Sequence, residues 1–118
     1  MELTEHIALY LRAHGLQAAS GALPAQPDEA CAVIATGLRP SADSQGSRFQ
    51  ILVRGQPGRD TALALCSRIE EMLSSFCGLL TPESPLILRT RLESGAARLE
   101  MDKRGRITYS MNFRAWHC

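Results

Sequence analysis

The stretch MDKRGRITYSMNFRAW, residues 101–116, decides the fold, because a polar turn leads into a run that alternates strictly between apolar and polar side chains. One face of the extended chain carries Ile107, Tyr109, Met111, Phe113 and Ala115, and the other carries Thr108, Ser110, Asn112, Arg114 and Trp116. At ~3.3 Å per residue this strand spans roughly 35 Å, about twice a usual strand. We therefore expect it to cross a whole sheet or to reach beyond its own subunit.

The turn before this strand, residues 102–105, has the composition of a tight four-residue reversal. Gly105 stands where a positive φ is expected, and the Asp102 side chain is expected to bond its own turn backbone. This explains the acidity of Glu100 and Asp102 better than a catalytic carboxylate pair does.

Two amphipathic helices and three further strands are predicted upstream. The first helix is predicted within the segment of residues 3–15, with Thr4 as its N-cap and Gly15 at the C′ position that follows its last turn. The second follows Asp60 as a cap and ends at Gly78. The strands cover residues 30–37, 49–54 and 86–93, while residues 94–101 read as either a bulged continuation or a separate short strand.

The side chains of these strands are expected to divide between two faces. Phe49, Ile51 and Val53 face the core, opposite Gln50, Leu52 and Arg54. Leu86, Leu88, Thr90 and Leu92 share one face of the later strand, opposite Ile87, Arg89 and Arg91. The strand at residues 30–37 is apolar enough to be buried on both faces.

The predicted fold class is α+β, an α/β sandwich in which two helices pack on one face of a sheet. The element order is α-β-β-α-β-β, and the sheet is four-stranded, mixed and mainly antiparallel. A chain of 118 residues is expected to form a single domain over residues 1–118 with a real core. The face away from the helices mixes Thr, Ser, Asn and Arg with Leu52 and Trp116, so it is a candidate surface for a partner.

Composition excludes several function classes. The net charge of +1 indicates no strong attraction to nucleic acid or membrane. No apolar run approaches the ~20 residues of a membrane span, so a soluble protein is expected. Lys103 is the only lysine beside the arginines, which reflects either base composition of the genome or selection for bidentate guanidinium contacts.

No pattern of residues indicates catalysis, a cofactor or a metal. The four cysteines form no C-x-x-C pair, no histidine lies at zinc-ligand spacing, and phosphate-binding or nucleophile motifs are absent. Cys31 and Cys66 read as small core residues. His6 and His14 read as a polar helix edge, and His117 as part of a frayed end. We expect a protein that is not an enzyme.

Arginines concentrate in the C-terminal half, at Arg89, Arg91, Arg104, Arg106 and Arg114. They form a solvated strand face, a subunit contact or a surface against nucleic acid. Few exposed aromatics are available to stack bases, and Trp116 is more typical of a packing or interface anchor. Because they share one side of the long strand, Arg106, Asn112, Arg114 and Trp116 are predicted to contact a neighbouring subunit or another partner.

The closing stretch resembles the last strand of the tail-terminator type of minor capsid and tail-completion proteins of long-tailed phages. The matching positions are Asp102, Lys103, Gly105, Arg106, Tyr109, Met111, Asn112 and Phe113. The segment FQILVRG, residues 49–55, followed by a helix, fits the same plan. The N-terminal helix matches in kind only.

This resemblance implies a structural virion protein. Such proteins form a hexameric ring that caps the tail tube, stops its polymerisation and docks onto the head connector, and DNA later passes through the ring. The implied partners are further copies of the chain, the tail tube protein and the head–tail connector, with assembly in the bacterial host cytoplasm and no membrane. Arg54, Arg89 and Arg91 would face the lumen or a polar sheet face. The alternatives are a head-completion, neck or other prophage minor capsid protein, and a small nucleic-acid- or ligand-binding module.

Overall fold

The computed structural model describes all residues from Met1 to Cys118, as two helices and one six-stranded sheet. In chain order the elements are α1 (Leu3–Ala13), β1 (Ala18–Ser20), β2 (Ala30–Gly37), β3 (Ser47–Arg54), α2 (Ala62–Leu73), β4 (Gly78–Leu79), β5 (Leu86–Met101) and β6 (Ile107–His117). The strand order is β1-β2-β3-β6-β5-β4, and only the β1–β2 pair is parallel. The predicted α+β class and mainly antiparallel pairing are confirmed.

The expected four-stranded sheet is wrong, because β1 and β4 add a strand at each edge. β1 lies in the proline-containing linker after α1 and has three residues, and β4 has two residues after α2. Segments this short cannot display a hydrophobic period, so they form strands only because β2 and β5 offer free backbone groups beside them.

The long strand β6 lies in the middle of the sheet. It pairs with β3 from Thr108 to Ala115 and with β5 from Ile107 to His117. β6 therefore crosses the sheet and has both edges occupied within its own chain. The alternative expectation, that this strand extends beyond its own subunit, is wrong, because β6 is paired along its length within the chain.

The core lies between the two helices and one face of the sheet, which we call the inner face. The strand residues predicted to be apolar, from Phe49 to Val53 and from Tyr109 to Ala115 in alternation, are buried there. Both helices supply the opposite side of the same cluster, through residues that include Ile7, Leu11, Cys66, Ile69 and Leu73. The prediction that two helices cover one face of the sheet is confirmed.

The helix boundaries differ from those predicted. Glu2, not Thr4, is the N-cap of α1, because Glu2 and Glu5 form a reciprocal capping box. Thr61, not Asp60, precedes α2, since the Asp60 carboxylate accepts the Tyr109 hydroxyl at 2.8 Å. α2 ends at Leu73 rather than Gly78, because Ser74 is extended.

Residues 94–101 continue β5, so the bulged continuation is the correct alternative. Its pairing with β6 is irregular at several points, the first between Ile87 and Arg89. That bulge inserts an extra residue and resets which side chains face inward. Ile87 and Thr90 are buried whereas Leu86 and Leu88 are 45% and 52% exposed, so the expected single face for these residues is wrong.

The four cysteines are free and divide into two kinds. Burial raises the pKa of the Cys31 thiol to about 12 and that of Cys66 to about 11, whereas Cys77 and Cys118 are exposed. Since the thiolate is the reactive form, we expect a thiol reagent at neutral pH to modify Cys77 and Cys118 quickly, and Cys31 and Cys66 only after unfolding. Mass spectrometry of a labelling time course measures this, and a Cys77→Ser/Cys118→Ser variant should show no fast phase. Four equally fast thiols would contradict the packing described.

Candidate functional site

The candidate site is the sheet face away from the helices, which we call the outer face. It carries Gln50, Leu52 and Arg54 of β3 and the residues of β6 from Thr108 to Trp116 in alternation, as the sequence predicts. Two clusters of charged side chains occupy its ends. The Arg54 patch consists of Arg54, Arg104, Arg106, Asp28 and Asp102, and the Trp116 patch consists of Trp116, Arg48, Arg89, Arg91, Arg114 and Glu93.

Arg54 is on the predicted face but is only 5% exposed. Its guanidinium donates to the backbone carbonyls of Asp28 at 2.8 Å and of Pro24 and Pro27 at 2.7 Å. The loop of residues 21–29 therefore lies over this end of the sheet, and burial lowers the pKa of Arg54. The side chain fastens the loop, and the loop separates it from any partner.

Arg106 joins the same loop to the turn before β6. Its guanidinium contacts the Asp102 carboxylate at 2.7 Å, the Ala25 carbonyl at 2.8 Å and the Asp28 carboxylate at 3.3 Å. Asp102 also accepts the backbone N–H groups of Arg104 and Arg106, as the turn composition predicts. The Arg106 side chain is 11% exposed, so it is mainly an internal tie between the 21–29 loop and the turn.

Trp116 lies at the other end of the face, beneath several guanidinium groups. Those of Arg89, Arg91 and Arg114 lie 5.2, 5.4 and 5.9 Å from the centroid of its ring. The indole N–H donates to the Ser44 carbonyl at 3.0 Å, which ties Trp116 to the loop of residues 38–46. The structure thus brings together four of the predicted residues, with three arginines around the ring of Trp116.

Glu93 is the carboxylate of the Trp116 patch. It binds Arg91 and Arg114 at 3.0 Å each, and Arg48 at 3.7 Å. Arg114 also donates to the Gln45 carbonyl at 2.7 Å and its side chain is 14% exposed, whereas Arg48 and Arg91 are 59% and 48% exposed. Three guanidinium groups therefore share one carboxylate, Arg89 adds a fourth that has none, and the patch presents net positive charge to solvent.

Gly46 allows the 38–46 loop to approach Trp116. Its φ is +73°, and a Cβ there would lie 3.0 Å from the indole nitrogen and 3.0 Å from the Ala115 carbonyl oxygen. Only glycine meets both conditions without strain or displacement. The loop that half-covers Trp116 thus depends on this position.

Between the two patches, Thr108 and Ser110 are buried and Asn112 is half-buried. Asn112 therefore separates Arg106 from Arg114 and Trp116, and the predicted contact residues do not form one continuous patch. Sequence reasoning missed Asp28, Gly46 and Glu93. The only local signal was Glu93, which follows Arg91 by two residues and so lies on the same side of a regular strand.

Two of the three histidines are buried, whereas His14 is exposed at the end of α1. His6 is buried, with Nδ1 3.0 Å from the Thr81 hydroxyl, and His117 is buried at the end of β6, with Nε2 3.0 Å from the Ser47 hydroxyl. The predictions of a polar helix edge at His6 and a frayed end at His117 are wrong. No group of three or more metal-ligating side chains is assembled. Neither helix combines the length and apolarity needed to cross a bilayer.

We expect the fold to lose stability in acid. Desolvation raises the pKa of Glu93, but hydrogen bonds from Arg91 and Arg114 outweigh this effect, so the pKa of Glu93 lies below 4.5. The pKa of Asp102 lies below 3.8, chiefly because its carboxylate accepts the backbone N–H of Arg106. Both carboxyl groups bind protons more readily in the unfolded chain than in the folded protein. Their contribution to the free energy of unfolding is therefore fully present above their unfolded-state pKa values, and it is lost as the pH falls through their folded-state pKa values. Thermal melts between about pH 6 and pH 2 measure this, and Glu93→Gln should flatten the slope. An identical slope in that variant would contradict the role assigned to Glu93.

The fold places the chain among α+β proteins in which two helices cover one face of a mainly antiparallel sheet. Neither a family model nor a curated protein matches the sequence. Among solved structures, the chain is similar to one in the "Virion of native gene transfer agent (GTA) particle", with a TM-score of 0.66 and 19% identity over 98% of this chain and 93% of that chain. At this identity the likeness shows a shared fold. A second solved chain, at a TM-score of 0.48 and 13% identity over 96% of this chain and 86% of that one, is too weakly similar to carry an argument.

Proposed function

We propose that this protein is a non-enzymatic structural component of a phage-like virion, and specifically a tail-terminator or tail-completion protein. In this role a single domain over residues 1–118 assembles into a ring, expected to be a hexamer. The ring caps the tail tube, ends its growth and joins it to the head connector. Assembly takes place in the cytoplasm of a bacterial host, and DNA is a partner only as it passes through the ring.

The observation that carries this proposal is the likeness in fold to a chain of a gene transfer agent virion over nearly the whole length of both chains. The resemblance of residues 102–113 to the closing strand of tail terminators supports it independently, because it rests on sequence. The strand that carries this resemblance is β6, the central strand of the sheet. A rigid central strand with one face in the core and the other on the surface can hold contact residues at set positions.

We place the contact with a neighbouring subunit or the tail tube on the outer face, around Arg106, Asn112, Arg114 and Trp116. Arg106 and Arg114 are mostly covered by their own chain, so reversing their charges would damage the fold as well as any contact. The exposed rim is formed by Arg89 and Arg91, which we propose to face the partner or the lumen. Arg54 is covered by the 21–29 loop and is not proposed to touch either.

Deleting the gene in its phage or host is the direct test of the function. Without a terminator, tails should be overlong, irregular in length and unattached to heads in electron micrographs. Tails of normal length joined to heads in the deletion strain would contradict the proposed function. Purified protein should also form rings on tail ends in negative-stain images.

Complementation of that deletion tests the position of the contact. Arg89→Glu should fail to restore tails of normal length, because a reversed charge against a complementary patch costs several kcal/mol of assembly energy. The matched control is Arg59→Glu, an equal change at an exposed arginine that forms no ion pair or side-chain hydrogen bond. Melts of both variants should stay near that of the wild type. Full rescue by Arg89→Glu would remove the contact from this rim and leave the function itself untouched.

A further inference from the structure

The free edge of the sheet belongs to β5. β4 pairs only with Leu86 and Ile87, and the Ser75 N–H binds the Thr90 carbonyl. From Arg91 to Met101, β5 has β6 on one side and no strand on the other. This edge is about twice the length of a usual strand, and it exposes Leu99 and Met101 by 54% and 58%. An edge of this kind offers a template for pairing with another strand.

The charges on this edge are arranged so that the strand is complementary to itself. In an antiparallel pairing centred between Gly95 and Ala96, Arg91 lies opposite Glu100 of a second copy, and Glu100 lies opposite the second copy's Arg91. In the same register Leu92 meets Leu99, and Ser94 meets Ala97. The centre holds only small residues, from Ser94 to Ala97, so two backbones can approach without obstruction.

The orientation of the Arg91–Glu100 and Thr90–Met101 pairs agrees with this register, whereas Glu93, which binds Arg114 on the outer face, would meet Arg98, which lies opposite Tyr109 on the inner face. Arg91 and Glu100 both lie on the outer face, because they pair across β6 with Arg114 and Thr108. Thr90 and Met101 both lie on the inner face, opposite Ala115 and Ile107. A shift by one residue would separate Arg91 from Glu100 and would lose this charge match.

The folded chain leaves part of this charge pattern unused. Neither Arg98 nor Glu100 makes an ion pair within its own chain, and Arg91 shares Glu93 with two other arginines. Charged residues and bulges on an edge usually discourage pairing. On β5 these charges and bulges would disfavour pairing with the strands of other proteins and parallel pairing with a second copy. One antiparallel register with a second copy of β5 instead brings unlike charges together.

We propose that two copies of the free protein pair through the β5 edges, in the register that sets Arg91 against Glu100, and form one continuous sheet across a two-fold axis. Such an interface is isologous and closes at two subunits. It shares Arg91 with the rim proposed for the ring, but it is a separate contact and its test does not depend on the ring. It would cover the longest exposed edge of the sheet before the protein enters an assembly.

Charge exchange tests this pairing. Arg91→Glu places two glutamates opposite each other at both contacts of the dimer, and Glu100→Arg places two arginines opposite each other. Each variant alone should therefore dimerise roughly tenfold more weakly, or worse, than the wild type in sedimentation equilibrium. An equimolar mixture should recover the dimer, because every contact in the mixed pair again joins a glutamate to an arginine. Recovery on mixing is specific to this antiparallel register.

The matched control is Glu71→Arg, the same substitution on the exposed side of α2, which should dimerise like the wild type. Thermal melts of each variant separate loss of pairing from loss of fold. The proposal is overturned if the wild type stays monomeric at its solubility limit, or if the two variants dimerise normally. It is also overturned if folded variants fail to recover the dimer when mixed.

Discussion

Phe113→Ala is expected to lower the free energy of unfolding by about 3–5 kcal/mol, the largest effect of any single truncation proposed. Phe113 is fully buried on the central strand and stacks on Phe49 with ring centroids 5.4 Å apart. Truncation removes the burial of the ring and leaves a cavity between the sheet and the helices, where the surrounding residues are too closely packed to collapse into it.

Leu88→Ala is the matched control for Phe113→Ala. Leu88 is also an apolar strand residue, but it is 52% exposed at a bulge, so its truncation should change the free energy of unfolding by about 0.5 kcal/mol or less. Denaturant melts give both values. Equal effects of the two substitutions would mean that the inner face is not the core.

Arg54→Met is expected to lower the free energy of unfolding by about 2–4 kcal/mol, because three backbone carbonyls lose their charged donor at once. Methionine retains much of the apolar stem, so the loss reports the guanidinium rather than the packing. The 21–29 loop should then detach locally, and its amides should exchange hydrogen faster than those of β6.

Arg48→Met is the control for Arg54→Met. Arg48 lies on the same strand, but its side chain is 59% exposed and its only ion pair, to Glu93, is 3.7 Å long. Pairs of this kind contribute about 0–1 kcal/mol. Melts and hydrogen exchange of the two variants should therefore differ clearly, and similar values would show that Arg54 does not hold the loop.

The faces of β3 and β6 were predictable from sequence because the alternation of side chains in a strand is local. Phe49 to Val53 and Tyr109 to Ala115 are buried in alternation as expected. The same reasoning failed in β5, where a bulge between Ile87 and Arg89 breaks the period. The position of the bulge is determined by the pairing of β5 with β6, so it cannot be predicted from the pattern of residues 86–92 alone.

Membership of the outer face was likewise predictable, but access to it was not. Arg54 and Arg106 lie on the expected side, yet a loop that follows β1 covers them through contacts 26 to 81 residues away in sequence. Arg89 and Arg91 lie on the same face and remain exposed, since neither side chain is held by backbone carbonyls of a covering loop. The sequence does not distinguish an arginine that binds a loop of its own chain from an arginine that is free to contact a partner, because the difference depends on where the loops lie in the folded protein.

By itself the sequence determined the helix and strand types, the inner and outer sets of β3 and β6, and the turn at Asp102–Gly105, all of which depend on neighbours within a few residues. The tertiary structure alone decided the six-strand order, the central position of β6, the free edge of β5 and the burial of Arg54 and Arg106. Those features depend on which distant backbone groups find hydrogen-bond partners and which loops lie over which strands, and a period along the chain carries no information about either.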